Sequence, residues 1–143
     1  MHVRLLIAAP DTTSLDLYQR LLEAALAMLP LDVVAEQVSS AAALERRLAE
    51  ARIDVVLLDW ALAGPESLAL ISSLIEHHPH VRVVAILPLA LPQYRVQLWK
   101  AGVCVGAPKE NIDQEWLLST LCLITRAMER EARARAELER ILP

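Results

Sequence analysis

Apolar residues along this chain fall into short continuous runs separated by longer stretches of helical spacing. The runs cover 3–9, 31–37, 54–59, 81–87 and 103–107. Several are uninterrupted rather than alternating, the pattern of parallel strands covered on both faces. Between them, 13–28 places Leu15, Tyr18, Leu22 and Ala25 on one helical face, with Leu29 continuing it, and 41–50 and 66–77 read the same way. Pro30, Pro65 and Pro79 punctuate the boundaries, because proline opens a helix or stops one. A fourth helix is expected over 92–101, ending at Gly102.

Five β-α units with right-handed crossovers predict an open, doubly wound α/β sheet. Such sheets bind ligands beyond the carboxyl ends of their strands, where the strand order reverses. The search for a site therefore narrows to 9–11, 59–61, 87–89 and 108–109. The last segment differs: 113–142 is one unbroken helix-compatible pattern, longer than an average helix. Leu117, Leu121, Ile124, Met128, Leu138 and Leu142 follow a 3–4 spacing, which Glu131 and Arg135 interrupt. The expected division is a globular domain over 1–125 and a helical extension over 126–143. The extension either stands in solvent on pairs such as Glu129–Arg133 and Glu131–Arg135, worth about 0.2–0.5 kcal/mol each, or pairs with a partner helix, making the chain a homodimer.

Composition narrows the class. With 143 residues there is room for one domain and a remainder, and 55% hydrophobic residues with no Phe require a core of Leu, Val, Ile and Ala. A net charge of −4 argues against direct nucleic-acid binding, which needs clustered positive charge. The first apolar run meets Pro10 and Asp11 too early for a signal peptide, and no apolar stretch suits a membrane span. A soluble, cytoplasmic protein with no membrane partner is expected. Cys104 and Cys122 lie outside any CxxC spacing and are expected to be small buried hydrophobes.

Asp59 closes the run Ile53-Asp54-Val55-Val56-Leu57-Leu58-Asp59, at the tip of what should be a central strand, and Lys109 follows the fifth strand toward the same edge. A carboxylate can attack phosphorus and an ammonium can neutralise the transferred oxygens; equally, the two could form a simple ion pair. His77, His78 and His80 cluster at the opposite edge and are expected to be a solvated loop rather than a metal site. Asp11-Thr12-Thr13-Ser14 has helix-start composition. The only glycines, Gly64, Gly102 and Gly106, exclude P-loop and dinucleotide fingerprints. Trp60 and Tyr94 could stack on a flavin ring, but no Gly lets a phosphate approach the first helix. Trp99 and Trp116 are expected to pack the fourth and fifth helices. The run 87–92 is either extra core or a docking patch.

From residues 3 to 125 the chain resembles the receiver domains of two-component response regulators. Val3-Arg4-Leu5-Leu6-Ile7-Ala8 looks like their first strand, 54–59 with Gly64 like the phospho-acceptor strand and its loop, and Ala101-Gly102 with Lys109 like the fifth unit. The resemblance implies a flavodoxin-like (βα)5 three-layer sandwich of strand order 2-1-3-4-5, a signalling module rather than an enzyme. It implies that a histidine kinase or phosphotransfer protein phosphorylates Asp59 beside Mg²⁺, with the Ala61 backbone carbonyl as a metal ligand and Lys109 as charge partner. This sequence departs from the family at five positions. Ala9 and Pro10 stand where an acidic pair is usual, with Asp11 one residue late; Leu87 replaces the switch Thr or Ser, Gly106 the switch aromatic, and Glu110 the Pro after the Lys. Asp11 is either a substitute metal ligand or the first helix's N-cap. Losing carboxylates weakens a cation that demands oxygen ligation, so weak Mg²⁺ binding, a direct Asp59–Lys109 pair and slow or absent phosphoryl transfer are expected. Two readings follow: a working phosphorelay receiver using Asp11, or a phosphorylation-independent module for protein contact and dimerisation.

Overall fold

The computed structural model describes residues 1–88 and 92–142, with the side chains of Pro92 and Gln93 outside the description. Five strands, β1 (Val3–Ala8), β2 (Val33–Val38), β3 (Val55–Asp59), β4 (Arg82–Leu87) and β5 (Val105–Pro108), form one parallel sheet of order β2-β1-β3-β4-β5. The helices are α1 (Thr12–Met28), α2 (Ala41–Glu50), α3 (Ser67–His77), α4 (Pro92–Ala101) and α5 (Gln114–Ile141). This is the flavodoxin-like doubly wound sandwich with a long terminal helix.

The continuous apolar runs are explained by two cores of opposite parity. Val3, Leu5, Ile7, Val55, Leu57, Val84 and Ile86 face α1 and α5, while Leu6, Ala8, Val56, Leu58, Val83 and Ala85 face α2, α3 and α4. With a side-chain period of two, a strand covered on both sides must be apolar throughout. The same parity sends Asp59 to the face of Val55 and Leu57, toward α1. Each outer helix presents its stripe: Tyr18, Leu22 and Ala25 on α1, Leu44 and Leu48 on α2, and Leu117, Leu121 and Ile124 on α5.

Side-chain caps fix three helix starts. Asp11, Ser40 and Asp113 each accept a hydrogen bond from a backbone N–H three residues on. Gly102 ends α4 at φ 97°, where a Cβ would stand 2.8 Å from the Ile75 side chain.

Three expectations are corrected. Leu29 leaves the α1 stripe and is exposed, because the helix stops at Met28 and its cap is extended backbone. Cys104 is exposed, in the turn before the edge strand β5. Trp99 packs neither helix: it is 79% exposed on the outer face of α4, whereas Trp116 lies against the α1–α5 core. In the 87–92 run, Leu87 is buried and Pro88 exposed; the rest of that proposed patch lies outside the described residues. No described helix is long and apolar enough to cross a membrane.

α5 stays on the body past residue 125. Met128 packs on the α1–α5 core and Glu131 pairs with Arg82 of β4; from residue 131 onward every described position is exposed. Leu138, Ile141 and Leu142 are apolar residues on that overhang, 58–72% exposed.

Candidate functional site

The strand order reverses between β1 and β3, and the crevice at their carboxyl ends is where this architecture places ligands. Asp59, the last residue of β3, sits there with 4% exposure. A carboxylate so deeply buried needs partners, and it has three. The Tyr18 hydroxyl donates to Oδ2 at 2.5 Å, Lys109 Nζ donates to the same oxygen at 3.2 Å, and the Ala61 backbone N–H donates to Oδ1 at 2.9 Å. The last bond also caps the 3-10 turn Trp60–Leu62.

Lys109 reaches the carboxylate from the end of β5 and donates a second hydrogen bond, at 2.7 Å, to Ser14 Oγ. Its Nζ also lies 5.6 Å from the centroid of the Tyr18 ring, within range of a cation–π contact. Ser14 in turn belongs to the α1 cap. Its backbone N–H donates to Asp11 Oδ1 at 2.7 Å and its hydroxyl to Oδ2 at 3.2 Å. The Ser14 N–H bond is the first cause holding the Asp11 carboxyl below its usual value, with the Ser14 hydroxyl and Lys109 adding to it. One polar chain thus links Asp11, Ser14, Lys109, Asp59 and Tyr18.

Tyr18 joins this network without being among the candidate site residues of the sequence. Its spacing puts it in the core stripe of α1, where it does lie, fully buried. Burial, followed by its bond to Asp59, pushes the phenol well above its ordinary 10. One signal was available: Tyr18 carries the only side-chain hydroxyl in that stripe, and a buried hydroxyl requires a partner. Strand parity already directed Asp59 at the same helix.

The other predicted positions take these places. Ala9 is buried and Pro10 exposed, so no carboxylate follows β1 before Asp11. Leu87 is buried in the α2–α3–α4 core. Gly106 is exposed on β5, and a Cβ there would stand 3.3 Å from Leu98 Cδ1; Glu110 is exposed. Trp60 and Tyr94 occupy each other, with ring centroids 5.2 Å apart and planes at 54°. His77 Nδ1 donates to the Ser73 carbonyl oxygen of its own helix at 2.8 Å, and His78 and His80 meet edge to face. Among the described residues no group of three or more His, Cys, Asp or Glu is placed to hold a metal ion.

No family model and no curated protein matches the sequence. Solved structures do match its fold. A receiver domain protein (CheY-like) from Methanospirillum hungatei JF-1 superposes with TM-score 0.75 at 21% identity, covering 92% of this chain and 99% of that one. The signal receiver domain of an HD domain-containing protein from Pseudomonas fluorescens Pf-5 gives 0.77 at 16%, over 91% and 99%. A putative pilus assembly protein from Burkholderia thailandensis E264 gives 0.74 at 20%, over 87% and 98%. Sheet order, helix placement and these superpositions together establish that the chain has the CheY-like fold of response regulator receiver domains.

Proposed function

We propose that this chain is a receiver-type signalling module that works without phosphorylation and whose output is protein–protein contact, including a homodimer through the exposed end of α5. The observation that carries the reading is the Tyr18 hydroxyl on Asp59 Oδ2. An attacking carboxylate oxygen needs a free lone pair directed at phosphorus and a cation to offset the accumulating charge. Here Oδ2 receives both Tyr18 and Lys109, and Oδ1 receives the Ala61 amide.

The donor set does not suit Mg²⁺. Octahedral ligation draws on carboxylates and waters, but Ala9 and Pro10 supply no carboxylate and both Asp11 oxygens accept from Ser14. Asp59 and the Ala61 carbonyl would be left as the protein's ligands, so Mg²⁺ binding is weak on this reading. A histidine kinase or phosphotransfer protein is then not an obligatory partner. The overhanging Leu138, Ile141 and Leu142 favour pairing with a second copy, since an isolated helix turn held by i,i+4 charge pairs gains little.

Incubation of the intact chain with acetyl phosphate and Mg²⁺, followed by intact-mass and peptide mass spectrometry, tests this. Unmodified Asp59 is the expected result. Rapid gain of one phosphoryl group, absent from Asp59→Asn, would overturn it in favour of the phosphorelay receiver.

A further inference from the structure

At the amino-terminal edge of the sheet, opposite Asp59, a cavity of about 270 Å³ opens between the strand starts and the overhanging part of α5. Arg4 of β1, Arg52 before β3, Arg82 of β4 and Arg135 of α5 line it, against two carboxylates, Asp54 and Glu131. That is an excess of two positive charges in a chain whose net charge is −4.

Both acids are already engaged. Asp54, 8% exposed, accepts the Arg4 backbone N–H at 2.8 Å, and Glu131 pairs with Arg82. The Arg4 guanidinium bonds Glu36 at 3.1 Å. Arg52 makes only a 3.8 Å contact with Asp54, and Arg135 has no ion pair among the described residues. Two guanidiniums, one in the segment before β3 and one on the helix, therefore line the cavity without strong partners. His80 adds an imidazole to the wall; burial first, then Arg52, holds its pKa below the ordinary value, in keeping with a positive local potential.

We propose that this cavity is a binding site for a small phosphate-bearing anion, held between Arg52 and Arg135. The planar guanidinium fork matches phosphate oxygens bidentately, and a dianion offsets the excess charge. Bridging Arg52 to Arg135 ties the overhang of α5 to the sheet edge, so occupancy sets how firmly the helix is held. The site uses none of the residues around Asp59.

Calorimetric titration of the intact chain with inorganic pyrophosphate, at constant ionic strength, is the test. Saturable one-to-one binding is expected, weakened about tenfold by either Arg52→Ala or Arg135→Ala, the loss of one charge-assisted contact. Both side chains are exposed, so the variants should fold, and circular dichroism checks this. Arg133→Ala, on the same helix outside the cavity, should leave binding unchanged. Absence of saturable heat, or equal weakening by Arg133→Ala, would overturn the site. Citrate binding as tightly as pyrophosphate would overturn its assignment to phosphate.

Discussion

Replacing Tyr18 by Phe deletes one oxygen from a fully buried position and leaves the ring that fills it. The hydroxyl's partner is a carboxylate with 4% exposure, which then keeps only Lys109 and the Ala61 N–H. A hydrogen bond to a charged group contributes about 1.5–3 kcal/mol. For a domain of this size that corresponds to a fall in Tm of about 6–12 °C, at about 4 °C per kcal/mol. Urea unfolding should show the change in midpoint with an unchanged slope, since the surface exposed on unfolding is nearly the same. In an Asp59→Asn background the same substitution should cost at least about 1 kcal/mol less, because the charge assistance has gone. Alkali adds an independent reading. The buried phenol is raised above 10, so the folded state retains a proton that the unfolded state releases, and stability is lost as pH rises beyond 10. That loss should be smaller in Tyr18→Phe. Additive effects of the two substitutions, or a Tyr18→Phe change within about 0.5 kcal/mol of zero, would refute the bond and with it the closed-site argument.

Other outcomes follow from the same structure. Truncation after Ala132 should abolish dimerisation in sedimentation while leaving Tm nearly unchanged, since every described residue beyond it is exposed. Truncation after Arg126 should in addition cost about 1–2 kcal/mol, through lost Met128 packing and the Arg82–Glu131 pair. Glu36, held down to about 2 first by Arg47 and then by Arg4, is ionised in the folded state below its ordinary 4.5. Its stabilisation is thus present above pH 4.5 and lost as pH falls toward 2, and Glu36→Gln should flatten that acid limb by up to about 1 kcal/mol in acid-unfolding curves. Exposed Cys104 should react with a thiol reagent well before the half-buried Cys122, and Cys104→Ser should remove the fast phase.

The strands and helices were legible because burial on both sheet faces leaves an unambiguous trace: continuous apolar runs such as 54–59 between helical stripes. Boundaries moved by a residue or two where edge strands begin, as at Val33 and Val105. Asp59 and Lys109 were legible as residues ending strands that point at one edge. Tyr18 was hidden because a stripe records only that a position is covered, not which atom lies beneath it. Trp99 and Cys104 were misplaced for the converse reason: an apolar residue type permits burial without enforcing it, and α4 and β5 lie at the rim where cover runs out.

The departures from the receiver pattern are mutually consistent, which argues against reading any of them as an isolated loss. Without an acidic pair after β1, the crevice holds one buried carboxylate and one ammonium, and that pair needs neutral donors more than a cation. Tyr18 supplies one from α1, and the Ser14 hydroxyl oxygen accepts a further hydrogen bond from Lys109 Nζ. A network closed in this way gains nothing from a mobile hydroxyl after β4 or a swinging ring on β5. At those places stand Leu87, buried in the opposite core, and Gly106, where even a Cβ would press on Leu98. On the proposed reading, the path by which an occupied site would reach the α4–β5 surface is interrupted at both ends. Changing one position back should not restore it. Ala9→Asp alone places a second carboxylate near Asp59 with Tyr18 still bound, and it should lower stability, measured in urea, without producing phosphorylation by acetyl phosphate. Efficient phosphorylation of that single variant would refute the proposal that the closed network keeps Asp59 from accepting a phosphoryl group.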